Sequence, residues 1–161
     1  MPNISDQSEI YDLVNDQDQI IGQATRAQCH HNPALIHRSS AILVFNDQGE
    51  LFIHLRAAAK DVCPNMWALS CAGHCDQGES YEQTARRELK EELGVDLEVL
   101  WIDKYLINSA RETEWMGLFW TRSVGPFSLN ESEIQEGSFI ALDELYGDWL
   151  TRLTPPSQVI L

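Results

Sequence analysis

Glu88, Glu91 and Glu92 stand at i, i+3 and i+4, so on a helix their carboxylates converge on one face. Like charges at that spacing destabilise an isolated helix by about a few tenths of a kcal/mol per pair. In a confined site the repulsion raises their pKa values, and a hard divalent cation removes the penalty. Mg²⁺, or Mn²⁺ in its place, accepts a few carboxylates completed by water and substrate phosphates, so this face after a glycine-containing loop points to metal-assisted chemistry on a phosphate compound. Taken alone, three glutamates describe a solvated helix face at least as well.

A second group of ligand-type residues lies upstream. All five histidines (His30, His31, His37, His54, His74) and all four cysteines (Cys29, Cys63, Cys71, Cys75) fall in one stretch. Cys71 and Cys75 have no second matching pair, which argues against structural zinc, and the thiols are expected to be reduced. Glu112 and Glu114 alternate along an extended segment and so share a face. Arg56 and Lys60, among only 11 basic residues, are candidates to face an anionic substrate.

The elements that must hold these groups can be read from periodicity. Tyr11 to Val14 and Gln19 to Thr25 flank the turn-like Asn15 to Asp18 and read as a hairpin. Ser39 to Asn46 is a nearly continuous apolar run, a strand buried on both faces, turned by Asp47-Gln48-Gly49 into a second strand, Glu50 to Arg56. Trp67 to Ala72 predicts a short strand ended by Gly73. From Ser80 to Leu93 the period becomes helical, with Ala85, Leu89 and Leu93 at i, i+4 and i+8, Ser80 as cap and Gly94 as terminator. Val95 to Ile107 and Trp115 to Ser123 read as strands, Gly125-Pro126 as a loop, and Leu142 to Leu153 as a last helix despite Gly147. Strands mixed with two helices predict a three-layer α/β arrangement in one domain over residues 1–161, with residues 1–7 disordered.

Composition narrows the partners. The 161 residues carry 25 acidic and 11 basic side chains, a formal net charge of −14. Such a field repels phosphate backbones and anionic lipid, so nucleic acid and membrane surfaces are not expected partners, and an anionic substrate requires a metal. Residues 1–10 lack a basic, then apolar, leader pattern, and no apolar run approaches the roughly 20 residues of a bilayer span. The expectation is a soluble, cytoplasmic protein. Much of Glu131 to Glu136 reads as solubilising surface.

Residues 73–95 add a motif to these patterns. Gly73, Glu79, Arg87, Glu88, Leu89, Glu91, Glu92, Gly94 and Val95 match G-x5-E-x7-R-E-U-x-E-E-x-G-U, with U aliphatic, at every specified position. Seven fixed residues at roughly 7% each would coincide at about 1 in 10⁸ sites. The chain thus resembles the Nudix hydrolase superfamily. The resemblance implies a Nudix-type α/β/α sandwich with a mixed sheet, and attack of water on a diphosphate linked to another moiety. It further implies that Glu88, Glu91 and Glu92 bind the divalent ions, that Gly73 offers its backbone carbonyl, and that Glu79 pairs with Arg87 to orient the loop against the helix.

From the hairpin to about residue 122 the chain also resembles one branch of that superfamily, the type I isopentenyl-diphosphate isomerases and their hydrolase relatives. His30 and His37 match a seven-residue histidine spacing, His74 a loop histidine and Glu112-Thr113-Glu114 a Glu-x-Glu pair. By resemblance these five are candidate ligands of a second metal, and Arg56 and Lys60 match diphosphate-binding residues. Three departures favour hydrolysis over isomerisation. Ala72 stands where the isomerase has its catalytic cysteine. Cys71 is offset by one residue, which on a strand points it to the opposite face. All three box glutamates are present, where isomerases commonly keep only the position of Glu92. For the general base the candidates are Glu112, Glu114 and the box glutamates, with Glu114 preferred.

The expected function is therefore metal-dependent hydrolysis of a small organic or nucleoside diphosphate compound, with an isomerase-like enzyme or a catalytically silent binding domain as alternatives. Trp67, Trp101, Trp115 and Trp120 could stack on a substrate, although strand aromatics more often pack in cores. An aromatic-rich surface is compatible with a homodimer.

Overall fold

The computed structural model describes residues 6–161. The expected disorder of residues 1–7 thus falls mostly outside the described residues, and within them Gln7 already donates to Asp61. Strands β1 (Ile10–Val14) and β2 (Ile20–Thr25) form the expected hairpin. Asn15 shapes its turn by accepting from the amides of Gln17 and Gln19, a local bond that extended backbone would forgo. A single-turn helix α1 (Arg26–Cys29) follows, with a capping box between Thr25 and Gln28.

Strands β3 (Ile36–Phe45) and β4 (Leu51–Arg56) flank the predicted turn, where Gly49 adopts φ 78°. The predicted strand after Trp67 is broken into β5 (Trp67–Leu69) and β6 (Cys71–His74) by Ser70, whose φ of 25° takes the chain out of extended geometry. Helix α2 (Tyr81–Leu93) begins and ends as its sequence dictates. The Ser80 side chain accepts from the Gln83 amide, Gln83 returns the bond, and Gly94 closes the helix at φ 70°. Ser80→Ala should lower stability by about 1 kcal/mol, measurable by urea denaturation against the unaltered protein.

The remaining strands are β7 (Leu100–Asn108), β8 (Thr113–Arg122) and β9 (Ile134–Ile140). Here the structure corrects the sequence reading. Val95, Leu97 and Val99 pack against the core without joining a strand. Part of the stretch read as solubilising surface is β9, hydrogen-bonded to β4 from Leu51↔Ile140 to Arg56↔Ile134; its acidic residues hid an alternating pattern. The predicted last helix is also not continuous. It is α3 (Leu142–Glu144) and two irregular turns, because Gly147 leaves helical geometry at φ −97°, ψ −111°. A further helix, α4 (Pro155–Ile160), then starts on Pro155, whose fixed φ suits a first turn.

Nine strands among the described residues make one mixed sheet. At its centre β3 runs parallel to β8 over its whole length, with His37 opposite Glu114 and Ser39 opposite Met116, and antiparallel to β6, with Ser39 opposite His74. Alternation then sorts the side chains. Ile42, Val44, Cys71 and Phe119 pack under Ala85, Leu89 and Leu93 of α2. Leu51, Ile53 and Leu69 pack against Leu145 and Leu153 from the segments after β9. The result is the expected α/β/α sandwich. The parity of His37, Ser39, His74, Glu114 and Met116 places them together on the face away from α2. β7, which pairs only with β8, leaves Leu100, Trp101, Ile102, Tyr105 and Leu106 exposed.

Candidate active site and metal centre

α2 lies across β6, and this packing puts its acidic face on Gly73. A Cβ at Gly73 would fall inside the Glu88 carboxylate, so any side chain there would displace Glu88 from its place against β6. Glu88 and Glu92 are 9% and 8% exposed, whereas Glu91 stands at the rim with its side chain 56% exposed. Burial pushes Glu88 above the ordinary carboxylate range against the pull of Arg87, and pushes Glu92 higher still with help from Glu88. Glu92 Oε2 is buried with no hydrogen-bond partner. Two inward carboxylates raised in this way, one of them with an unpartnered buried oxygen, are what a bound divalent cation would relieve.

Arg87 fastens the preceding loop to this helix. Its Nε and Nη2 donate to Glu79 Oε1 and Oε2, each at 2.9 Å, Nη2 also reaches the His74 carbonyl at 3.0 Å, and Nη1 reaches Glu88 at 2.6 Å. Glu79 in turn accepts from the Thr84 hydroxyl and the Asp76 amide. Although burial opposes it, the Arg87 fork and these donors hold the Glu79 carboxyl below its usual range.

On the other face of β6 the structure assembles the histidine and glutamate candidates. His30 Nε2, His37 Nε2 and His74 Nε2 lie 2.9, 3.4 and 3.5 Å from Glu112 Oε2, and His74 Nε2 lies 3.5 Å from Glu114. One ligand atom from each of His30, His37, His74 and Glu112 falls within 4.8 Å of all the others. Both ring nitrogens of His30 and His37 are buried without a hydrogen bond of good geometry, as is Glu112 Oε2, despite the short distances. Orphaned donors aimed at one point fit a metal ion, and three imidazoles with a carboxylate suit a borderline transition-type ion better than Mg²⁺. Burial opposes protonation of His74, yet Glu112 and Glu114 raise it to about 9. The three histidines hold Glu112 far below the usual carboxylate range. Glu112 sits one residue before β8, in the turn from Ser109, rather than on the strand itself.

One cavity of about 370 Å³ reaches both clusters, and Glu88, Glu92, His74, Glu112 and Glu114 all line it. Arg56 and Lys60 also line it, but both are engaged. Arg56 holds the following loop through the carbonyls of Val62 and Cys63, and Lys60 pairs with Glu133. Ala72 lines the cavity while Cys71 is fully buried on the opposite side against α2, as the one-residue offset requires. None of Trp67, Trp101, Trp115 and Trp120 lines it. All four cysteines are free thiols, and none belongs to the candidate metal cluster.

Other members of the site carried no motif. Tyr11 stacks against His37 and His74, with centroids at 5.3 and 5.1 Å, and its hydroxyl accepts from Arg26 at 2.9 Å. Arg26 is 8% exposed and also reaches His74 Nδ1 at 3.3 Å. A lone arginine after a β-hairpin gives no sequence signal of such burial. Glu133, paired to Lys60, was hidden in the acidic run.

A family model for the NUDIX domain matches residues 35–161. The chain is 34% identical over 134 residues to an uncharacterised Nudix hydrolase of Pseudomonas aeruginosa, covering 83% of this chain and 79% of that protein. It is 32% identical over 142 residues to isopentenyl-diphosphate Delta-isomerase 2 of Photorhabdus laumondii, covering 85% and 80%. The fold superimposes on the crystal structure of DR0079 from Deinococcus radiodurans with a TM-score of 0.76 at 27% identity, over 89% of this chain and 88% of that one.

Proposed function

The chain belongs to the Nudix family of hydrolases acting on phosphoanhydride bonds, and from that premise we propose that it cleaves the diphosphate linkage of a small organic diphosphate, using Mg²⁺ held by Glu88, Glu91 and Glu92. The observation that carries this reading is the unpartnered, buried Glu92 oxygen beside Glu88 in a cavity that Arg56 and Lys60 also line. A divalent ion bound there would neutralise non-bridging phosphate oxygens and lower the pKa of the attacking water. Around it, Gly73 leaves room for the Glu88 carboxylate, and Arg87 with Glu79 holds the loop in register with the helix. Arg56 and Lys60 supply positive charge in a protein that otherwise repels anions. Glu114, on a strand that faces the cavity, is the preferred base to take the proton of the attacking water.

The test is phosphate and monophosphate release from a panel of alkyl, sugar and nucleoside diphosphates with and without Mg²⁺. Metal-dependent release from at least one compound is expected, and its absence across the panel would overturn the reading. Gly73→Ala should weaken Mg²⁺ binding by about 10-fold or more, because the new methyl displaces Glu88; calorimetric titration of Mg²⁺ checks this.

Isomerisation is the second reading, favoured by the His30, His37, His74 and Glu112 cluster and opposed by Ala72, which has no proton to exchange. Incubation with isopentenyl diphosphate decides it, since an isomerase would form dimethylallyl diphosphate and lose that conversion in Glu114→Gln. A silent binding domain would instead show metal-dependent thermal stabilisation without turnover of any panel compound.

A further inference from the structure

One buried ionisable side chain in the cavity wall has no part in the chemistry above. His54 on β4 is 3% exposed, lines the cavity and lies two residues before Arg56. Its Nδ1 lies 2.8 Å from the Ser70 carbonyl oxygen. A carbonyl only accepts, so Nδ1 carries the proton and Nε2 is left with a lone pair. Nε2 makes no hydrogen bond among the described residues. Burial, with Arg56 and Lys60 adding to it against the Ser70 carbonyl, pushes the ring down to about 4, so it stays neutral.

Ser70 is built to fix this tautomer. It is the residue that breaks β5 from β6, at a φ of 25° that is strained for a side-chain-bearing residue. Its amide and hydroxyl donate to the Phe52 carbonyl at 2.9 and 2.7 Å, and its hydroxyl accepts from the Val44 amide at 2.9 Å. Those bonds hold the strained turn and aim its one remaining backbone group, the carbonyl, at His54. Beside the ring the wall is small and aliphatic at Ala68, which pairs with His54 across β4 and β5. Tyr11 is the sole Phe, Tyr or Trp lining the cavity among the described residues, and it is fully buried with His37 and His74 stacked against it. Being wholly buried, the Tyr11 ring offers no face for a nucleobase to stack on.

We propose that His54 determines substrate specificity: its Nε2 accepts a hydrogen bond from a hydroxyl on the organic group, so the substrate is the diphosphate of a small hydroxylated, non-aromatic group. This rests on the diphosphatase reading above. A hydroxyl entering the cavity gives up water and needs an acceptor, whereas a plain alkyl group leaves the Nε2 lone pair unpaired and loses that interaction.

The probes are 5-hydroxypentyl diphosphate, pentyl diphosphate and ADP, each with Mg²⁺, measured as kcat/KM by phosphate release and as Kd by calorimetry. The hydroxylated compound should exceed pentyl diphosphate by about 10-fold or more in both quantities, and ADP should rank below it. His54→Leu should reduce the preference to within about 3-fold, and His54→Gln, whose amide oxygen can reach the Nε2 position, should retain part of it. Equal values for the two alkyl compounds, a preference that survives in His54→Leu, or a preference for ADP would overturn the proposal. Preference in Kd without turnover would refute the hydrolase reading and leave this one standing; turnover of all three at equal kcat/KM would do the reverse. Nitrogen-15 NMR of the unaltered protein gives an independent check that no misfolded variant can blur. The Nδ1–H tautomer is expected for His54, and an Nε2–H tautomer or an imidazolium would overturn the assignment.

Discussion

Glu92→Gln should reduce hydrolysis by about 10³-fold or more while making the metal-free protein more resistant to denaturation. The two effects have one cause. Glutamine keeps the shape of the side chain but removes the buried charge, so it forfeits the cation and also the repulsion with Glu88. The carboxylates of Glu88 and Glu92 are raised above their ordinary range by burial and by each other. Between about pH 4.3, where an unfolded glutamate titrates, and the raised folded values, the folded state binds more protons than the unfolded one. Stability must therefore fall as pH rises across that window. In EDTA, urea midpoints of the unaltered protein should decline from pH 5 toward neutrality, and Glu92→Gln should flatten the decline. Mg²⁺ should restore the midpoint of the first protein at neutral pH and move the second far less. Retention of Mg²⁺-dependent turnover within about 10-fold in Glu92→Gln, or a midpoint indifferent to pH in EDTA, would remove the carboxylate pair as the metal site.

How much of this site was legible in the sequence follows from how local each feature is. Ser80, Gly94 and the box glutamates belong to one helix, so spacing alone placed them on one face. The histidines were legible only by resemblance, because what unites His37 and His74 is pairing between strands, with β3 carrying His37 beside Glu114 on one side and Ser39 beside His74 on the other, while His30 joins them from the end of α1. No window of sequence contains that geometry. β9 was missed because Gln135, Glu136 and Gly137 dilute its apolar alternation, and its place beside β4 is decided by a partner far away in the chain. The last predicted helix failed for the opposite reason, since the apolar period persists across Gly147 while the backbone there does not. Ser70 was unreadable too. A serine in a strand gives no warning of a positive φ, and its strain is tolerated only because Phe52 and Val44 bind it from two other strands.

Arg87→Lys should lower kcat by about 10²-fold with KM little changed, and Glu79→Gln should do nearly the same. Lysine keeps the charge but has no planar fork, so it cannot hold both Glu79 oxygens while also bonding the His74 carbonyl and Glu88. His74 belongs to one candidate metal cluster and Glu88 to the other, and the Arg87 guanidinium is the group that bonds both of these residues. Loosening it should misplace the clusters relative to each other without removing any proposed ligand. That is why turnover should suffer more than substrate binding. If Arg87 acts through Glu79, the double variant should be scarcely worse than either single one, with a coupling of about 1–3 kcal/mol in the cycle. Additive losses would mean that the arginine touches the substrate directly. The pH dependence separates these cases again. Glu79 is held below its usual range by Arg87, so the stability this pair contributes is complete above about pH 4.3 and disappears as pH falls through the lowered folded value. The melting difference between the unaltered protein and Arg87→Lys should thus be full at neutral pH and shrink in acid, whereas an arginine serving only the substrate would leave no such signature in the ligand-free protein.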